Sequence, residues 1–399
     1  MLHIAELALT LLFVAATLPL LLELALACAG NLLPRRLPAP AAFPGRIAVL
    51  VPAHNEELLI ARTVESLLRS LAADSAHDSE IVVIAHNCSD RTARRARAAG
   101  ARVLELNGEP GKGRALRFSI TRVLIEGASA VAVIDADTVV SPNFLSVMRR
   151  ALARAGAAQC RYELDVSPGG SASPAAELGA LAFRGMNFIR PRGRSRLGLS
   201  SGIFGNGFAL RSETLATVPW EAFGIAEDLE YHTRLELAGI RTVFVEEATV
   251  FGAPASGRDA ERSQRLRWEG GRLAVARQYA PRVLASLLRG HLRSLHTLAD
   301  LFSLPLGLAA LLLLPGCALG FAPHMHVLLL YSLAGIALII LYVLLAVGTA
   351  PQPRRALAAL VATPAFLLRK TGMVHAILRA SRRGTAWTRT GRGPQKVRG

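Results

Sequence analysis

Apolar positions along this chain fall into three regimes. Near the start, residues 7–22 carry no charge, and after Glu23 a mostly apolar stretch continues to Leu33. That is long enough for one transmembrane helix of about 20 residues. In the middle the apolar residues come in short runs. Arg46-Ile-Ala-Val-Leu-Val predicts a strand that closes in PAHNEE, and Ile60, Val64, Leu67, Leu68 and Leu71 then mark one helix face. A second strand is predicted over 80–85, followed by HNCSDRT and an Arg/Ala-rich helix. A third, over 102–106, precedes the turn NGEPGKG and a helix from Arg114. Residues 131–138, VAVIDADT, read as a buried strand ending in Asp135 and Asp137. From 160 to 250 the pattern is less regular; it holds SSGIFGNGFALR and a helix opening at AEDLEYHTRL, and RSQRLRWEGGR follows at 262–272. In the last regime, residues 301–323 and 327–353 are both charge-free and read as a transmembrane hairpin.

Strands alternating with helices predict an α/β fold with a mostly parallel, Rossmann-like sheet, its ligands at the C-terminal ends of the strands. The expected organisation is an anchor over 1–34, a cytoplasmic catalytic domain over 35–297 entered through a Pro-rich linker, the hairpin over 298–353, and a basic tail over 354–399. Residues 356–368 are apolar but short and read as an interfacial helix. The start Met1-Leu-His-Ile lacks the basic residues of a secretory signal, which favours a retained anchor. Arg35 and Arg36 follow the first apolar stretch, Arg289 and Arg293 precede the hairpin, and Arg354 and Arg355 follow it. By the positive-inside rule all these flanks belong in the cytoplasm, making the protein a multi-pass inner-membrane protein with its catalytic domain inside. Glu6 and Glu23 are expected near the interfaces or against another helix. The arginines at 184, 190, 192, 194 and 196 fit either a membrane face or a solvated basic loop.

Composition sharpens this picture. Of 399 residues 52% are hydrophobic, and the formal net charge is +17. The mean hydropathy of +0.36 is high for a soluble enzyme. From Arg354 onward there are eleven Lys or Arg and no acid, directly after an apolar run, which favours a membrane surface over nucleic acid. No aromatic–basic nucleic-acid module is visible. Four cysteines without a CxxC pair imply neither a disulfide framework nor a zinc site.

Candidate chemistry begins with Asp135 and Asp137. Residues two apart in a strand point to one side, so at a strand's end two carboxylates can converge on one small, hard cation. A nucleotide diphosphate would fill the remaining positions. Alone, such a pair is common on exposed loops; its place after a buried strand and ahead of further motifs gives it weight.

Those motifs, in order, are VPAHNEE, HNCSDRT, GKGRAL, DADT, FGNG, AED and QRLRW. From about Val49 to Arg272 the sequence resembles membrane-anchored members of glycosyltransferase family 2, in the branch with an ED pair and QxxRW. The resemblance implies a GT-A fold and inverting transfer from a nucleotide diphosphate sugar, with Mg²⁺ or Mn²⁺. It assigns roles to positions here. Pro52, Ala53 and Glu56 would wall and hold the base or ribose, an ordinary strand-to-helix turn capped by Asn55 being the alternative. His86, Asn87 and Asp90 would contact the nucleotide; the family commonly has Asp where His86 stands, which loosens the link to uracil. Asp90 fits equally an N-cap for the helix that follows. Lys112 would offset phosphate charge, in a loop that is not a Walker A motif. Asp135 would approach the nucleotide sugar and Asp137 the metal. Asp228, rather than Glu227, would be the general base. Gly205, Asn206 and Gly207 would line the acceptor side, with a bulged strand as the alternative. Gln264, Arg267 and Trp268 would hold acceptor and diphosphate, or lie on the membrane as an amphipathic helix.

The expected function is therefore a membrane glycosyltransferase that moves a sugar, UDP-linked by preference, to a lipid, lipid-linked or saccharide acceptor. The rival readings are a processive polysaccharide synthase, acting as an oligomer or with partner proteins, and a non-catalytic nucleotide-binding subunit of such a machine.

Overall fold

The computed structural model describes residues 2–34, 41–74, 79–165, 173–253, 258–365 and 367. They form two compact units, one drawn from within 1–34, 172–197 and 272–383, the other from within 35–171 and 198–271. The first unit opens with α1 (Leu2–Leu32). The second unit then supplies β1 (Ile47–Ala53), α2 (Ile60–Ala72), β2 (Glu80–His86), α3 (Thr92–Ala98), β3 (Arg102–Leu106) and α4 (Lys112–Ile125). It continues with β4 (Ala130–Val133), β5 (Thr138–Val140), α5 (Phe144–Leu152) and β6 (Ala157–Leu164). The chain returns to the first unit for α6 (Pro174–Arg184), a π turn (Gly185–Ile189) and α7 (Arg190–Arg196). The second unit resumes with β7 (Phe208–Arg211), α8 (Ser212–Thr217), α9 (Glu227–Leu237) and β8 (Thr242–Gly252). From α10 (Arg258–Leu288) the chain passes into the first unit for α11 (Ser294–Phe302), α12 (Leu306–Leu319), α13 (His326–Gly348) and α14 (Pro353–Ala359).

The second unit is built on an eight-stranded sheet in the order β3-β2-β1-β4-β7-β6-β8-β5. The expected parallel arrangement holds for β3, β2, β1 and β4. Beyond β4 the sheet is mixed, because β7 runs antiparallel to both β4 and β6, and β5 antiparallel to β8. Both faces of the sheet are covered, which is why its central strands read as continuous apolar runs. Val49 and Val51 face a core with Ile60, Val64 and Leu67 of α2 and Phe144 and Met148 of α5. Ala48 and Leu50 face a second core with Leu116 and Ile120 of α4 and Tyr231 and Leu235 of α9.

Among the described residues, two helices of the first unit are long and apolar enough to cross a membrane, over Glu6–Leu32 and His326–Gly348. The charge-free run 301–323 is not one straight span: α11 and α12 meet at 84° around Ser303-Leu304-Pro305. Proline and the lost helical bonds next to it account for the break. α1 and α7 approach closely where Gly30 and Gly193 face each other, with no room for a side chain on either. Neither expectation for the arginine-rich segment holds for Arg194. Its side chain is fully buried, and it pairs with Glu23 of α1, which is buried too, and with Asp300 of α11. Arg190 reaches the same Asp300 at 2.6 Å. Arg184 donates to Thr349 O after α13, and Arg196 donates to Leu33 O after α1. The C-terminal ends of both long helices thus meet the same basic segment. Of the expected interfacial helix, α14 and a short 3₁₀ turn at Leu360–Ala362 are described; the basic tail from 368 on, Arg35 and Arg36 lie outside the described residues.

Breaking a buried ion pair by removing one partner strands the other charge. Arg194→Ala leaves Glu23 buried beside Asp300 with one cation gone, so it should destabilise the protein by about 3–5 kcal/mol. A lowered melting midpoint in detergent is the expected result.

Candidate active site

The C-terminal ends of β1 and β2 are laced together. His54 Nδ1 lies 2.8 Å from His86 O, and Asn55 Oδ1 accepts from Ser89 N at 2.8 Å. Asn55 takes a left-handed φ of 55° and does not cap α2, whose first turn follows Leu59. Glu56 N donates to Thr92 Oγ1 at 2.7 Å, and the first strand ends in half-buried Pro52 and buried Ala53. Asp90 works as a clasp: Oδ1 accepts from Thr92 N and Thr92 Oγ1, while Oδ2 accepts from Glu57 N at 3.1 Å. That use is close to the capping alternative. Asn87, also left-handed, exchanges two 2.9 Å hydrogen bonds with the backbone of Gly108. The His86 ring is buried, and burial together with neighbouring His54 pushes its pKa down, favouring the neutral ring.

The strand expected to carry Asp135 and Asp137 ends earlier, at Val133. Strand alternation therefore does not place the two carboxylates; a tight turn does, closed by Thr138 N donating to Asp135 O at 3.1 Å. Asp135 points its Oδ1 at Lys112 Nζ, 2.6 Å away. Asp137 lines a small open pocket with Leu59, Arg62, Thr63, Val139, Asp165, Phe251 and Ala253.

Lys112 is the hub. It is the first residue of α4, and its ammonium also donates to Gly205 O at 2.6 Å and lies 3.6 Å from Glu227 Oε1. Gly205 holds that carbonyl in place with φ +73°, a conformation glycine adopts without strain. A Cβ on Gly205 would sit 3.1 Å from Asp228 Oδ2, which brings Asp228 into the same group. Glu227 and Asp228 open α9, and Asp228 Oδ1 accepts from Leu229 N at 2.8 Å. The loop before them is pinned to α4. Trp220 Nε1 donates to Gly113 O at 3.1 Å, and a methyl on Gly113 would overlap Ala222 O. Trp220 is sandwiched between Phe208 and Tyr231.

Three carboxylates thus surround one ammonium, and the electrostatics follow. Burial raises Glu227 to about 7, with Asp228 and Asp135 adding to the rise against the pull of Lys112. Burial also raises Asp228, opposed by its bond from Leu229 N and by Lys112. For Lys112, burial disfavours the charge, but Asp135 and Glu227 outweigh it and its pKa rises. A raised Asp carboxyl is a better proton acceptor than an exposed one.

Asn206 is not an open acceptor surface. It is fully buried; its Oδ1 accepts from Asp135 N at 3.0 Å and its Nδ2 donates to Thr138 Oγ1 at 2.8 Å. Gly205-Asn206-Gly207 form a loop ahead of β7 rather than a bulge within it. The hydroxyl of Tyr162 also bonds Asn206, close to Asp135 and Asp228, and its pKa is raised by burial and by those carboxylates. Gln264, Arg267 and Trp268 lie on α10, with the Trp268 side chain half exposed. Gly271, three residues on, packs against Ala226, where a Cβ would come within 2.8 Å, so this helix abuts the turn that carries Glu227 and Asp228. Sequence reasoning missed Gln159, Tyr162 and Trp220. Only Gln159, a lone amide in the apolar run Ala157-Ala158-Gln159-Cys160, broke a pattern visibly enough to be found.

The family model described as "Glycosyltransferase like family 2" matches residues 44–271. The chain belongs to this family. Among solved structures, the mannosyltransferase PcManGT from Pyrobaculum calidifontis, in complex with GDP-Man and Mn²⁺, aligns over 85% of this chain and 98% of its own, with 20% identity and a TM-score of 0.50. That likeness establishes a shared fold. Glucosyl-3-phosphoglycerate synthase from Mycobacterium tuberculosis, in complex with Mn²⁺, UDP and phosphoglyceric acid, aligns over 56% of this chain and 76% of its own, with 22% identity and a TM-score of 0.38. The same enzyme has also been solved with Mg²⁺ and UDP. No curated protein matches the chain in sequence.

Proposed function

We propose that the protein transfers a sugar, with inversion, from a nucleotide diphosphate sugar to a membrane-associated acceptor hydroxyl. The observation that carries the reading is the gathering of Asp135, Glu227, Asp228 and the Gly205 carbonyl around Lys112. A diphosphate brought to three carboxylates and one ammonium would meet net negative charge, so the donor needs a divalent cation with it. Among the described residues no group of three His, Cys, Asp or Glu forms a closed metal cage. The hard oxygens of Asp135 and Asp137 suit a partial site, with diphosphate and water supplying the rest, as Mg²⁺ and Mn²⁺ accept. Bound there, such an ion would offset charge on the departing diphosphate. Lys112, at a helix N-terminus, adds a second positive centre for the phosphates. Asp228 takes the proton from the acceptor hydroxyl as that oxygen attacks the anomeric carbon opposite the leaving group. Arg267 and Trp268 offer a guanidinium and a flat ring for diphosphate and acceptor. The fold neighbour's GDP-Man and the His86 substitution keep GDP-sugars beside UDP-sugars as donors.

The membrane part of the reading rests on α1 and α13. Leu7, Leu11, Leu12 and Leu18 of the first, and Val327, Leu330, Leu333 and Ile340 of the second, are exposed. A bilayer would cover them. Both helices end at the arginine-bearing α6–α7 segment, which the positive-inside rule puts on the cytoplasmic side.

The test is a panel of radiolabelled UDP- and GDP-sugars incubated with membranes containing the full chain, followed by sizing of lipid and polymer fractions. Metal-dependent transfer from one nucleotide sugar, abolished by chelation and restored by Mn²⁺ or Mg²⁺, is the expected result. Transfer that survives chelation would count against the cation, and no transfer from any donor against the reading. Label in long polymer would favour the processive version.

A further inference from the structure

The turn that carries Asp135 and Asp137 is gripped from two sides by side chains with no part in the chemistry above. On one side α2 presents a row of hydroxyls. Thr63, Ser66 and Ser70 lie three and four residues apart, hence on one helix face, and each is no more than 1% exposed. Thr63 Oγ1 donates to Ala136 O at 2.8 Å, between the two aspartates. Ser66 Oγ accepts from Val140 N at 3.2 Å, and Ser70 Oγ from Leu145 N at 2.9 Å. The row therefore meets the chain from 136 to 145 in order, like a ruler laid along it. Apolar residues at these positions would pack as well; hydroxyls add direction, since a buried backbone group strongly prefers a partner.

On the other side stands Asn206. Its amide bonds Asp135 N before the turn's centre and Thr138 Oγ1 after it. Asn206 is fixed in its turn by Gln159, whose Nε2 donates to Asn206 O at 2.8 Å and whose Oε1 accepts from Phe204 N at 3.0 Å. Asn206, Thr138 and Gln159 are all completely buried. Asp135, Ala136 and Thr138 are thus each held by Thr63 or Asn206, and the two aspartates sit within the stretch so fixed.

We infer that Thr63 and Asn206 are positioning residues that hold the Asp135–Asp137 turn in the one arrangement that binds a divalent cation with a nucleoside diphosphate. The inference rests on the nucleotide-sugar reading above and adds which buried groups set its affinity. Partners that orient metal-binding carboxylates typically contribute about 10–100-fold to metal affinity.

The experiment titrates Mn²⁺ into the full-length protein in detergent with saturating UDP or GDP, following free Mn²⁺ by electron paramagnetic resonance. Thr63→Val removes only the hydroxyl at nearly constant volume, Asn206→Ala acts from the opposite side, and Thr63→Ser restores the hydroxyl. Melting midpoints are measured alongside, and should one variant fail to fold, the variant on the opposite side of the turn decides the question. The expected result is a Mn²⁺ midpoint raised about tenfold or more in Thr63→Val and Asn206→Ala and returned toward wild type in Thr63→Ser. Folded Thr63→Val or Asn206→Ala with the wild-type Mn²⁺ midpoint would overturn the inference for that residue while leaving the glycosyltransfer reading standing. A wild-type protein that takes up no Mn²⁺ with either nucleotide would sink that reading itself, and the inference with it.

Discussion

Asp228→Asn should slow sugar transfer by about 10²–10⁴-fold while leaving donor binding intact. The substitution keeps the shape of the side chain and can keep the contact with Leu229 N, since the amide oxygen accepts as the carboxylate does. What it removes is the ability to take a proton. General-base catalysis commonly contributes about 10²–10⁴-fold, so a drop of that size in kcat is expected. Donor affinity should hold or improve, because one of the negative charges around Lys112 is gone. The measurement is a rate assay beside nucleotide-sugar binding in the presence of Mn²⁺. Full transfer by the variant would move the role to another carboxylate, Glu227 being the nearest in sequence.

Much of this arrangement was legible in the sequence. The apolar runs of β1, β2 and β4 were visible because strands buried on both faces need no polar alternation. The motif order singles out Lys112, Asp135 and Asp228, and the fold brings both carboxylates close to the Lys112 ammonium. The illegible parts depend on partners distant in sequence. The family resemblance puts Asn206 on the acceptor side; its amide instead spans 71 residues of sequence to Asp135 N. The aspartates were assigned to a strand end because apolar character continues through Ile134, whereas pairing with β7 stops at Val133. Local pattern reports burial faithfully and the end of a ladder poorly.

The helical unit divides in the same way. Hydropathy found α1 and α13, since length and apolarity are local properties. It missed the break between α11 and α12, although Pro305 marked the spot inside a charge-free run. Nor could it decide where Arg194 goes. A cation in an arginine-rich segment looks solvated until Glu23 and Asp300 are seen beside it. The bare acid inside the first apolar stretch was the available signal, because a carboxylate there must find a partner.

Gly113→Ala tests the packing that joins the two halves of the site. Gly113 is the second residue of α4, immediately after Lys112, and its missing side chain is what lets the loop over 220–226 come in. An added methyl would overlap Ala222 O, and neither side can yield easily. Leu116 and Ala115 lock α4 in the core, while buried Trp220 and Ala222 lock the loop. Overpacking of this kind costs about 1–3 kcal/mol. The larger effect should fall on catalysis. If the loop moves outward, Glu227 and Asp228 move with it, away from Lys112 and from the donor. A misplacement of roughly 1 Å can cost about 10²-fold in rate. The expected outcome is a protein that folds with a lowered melting midpoint, still binds nucleotide through the ends of β1 and β2, and transfers sugar about a hundredfold more slowly. Transfer at the wild-type rate would mean that the ED turn takes its position from α10, through Gly271 against Ala226, rather than from α4. Gly271→Ala would then be the more damaging of the two substitutions.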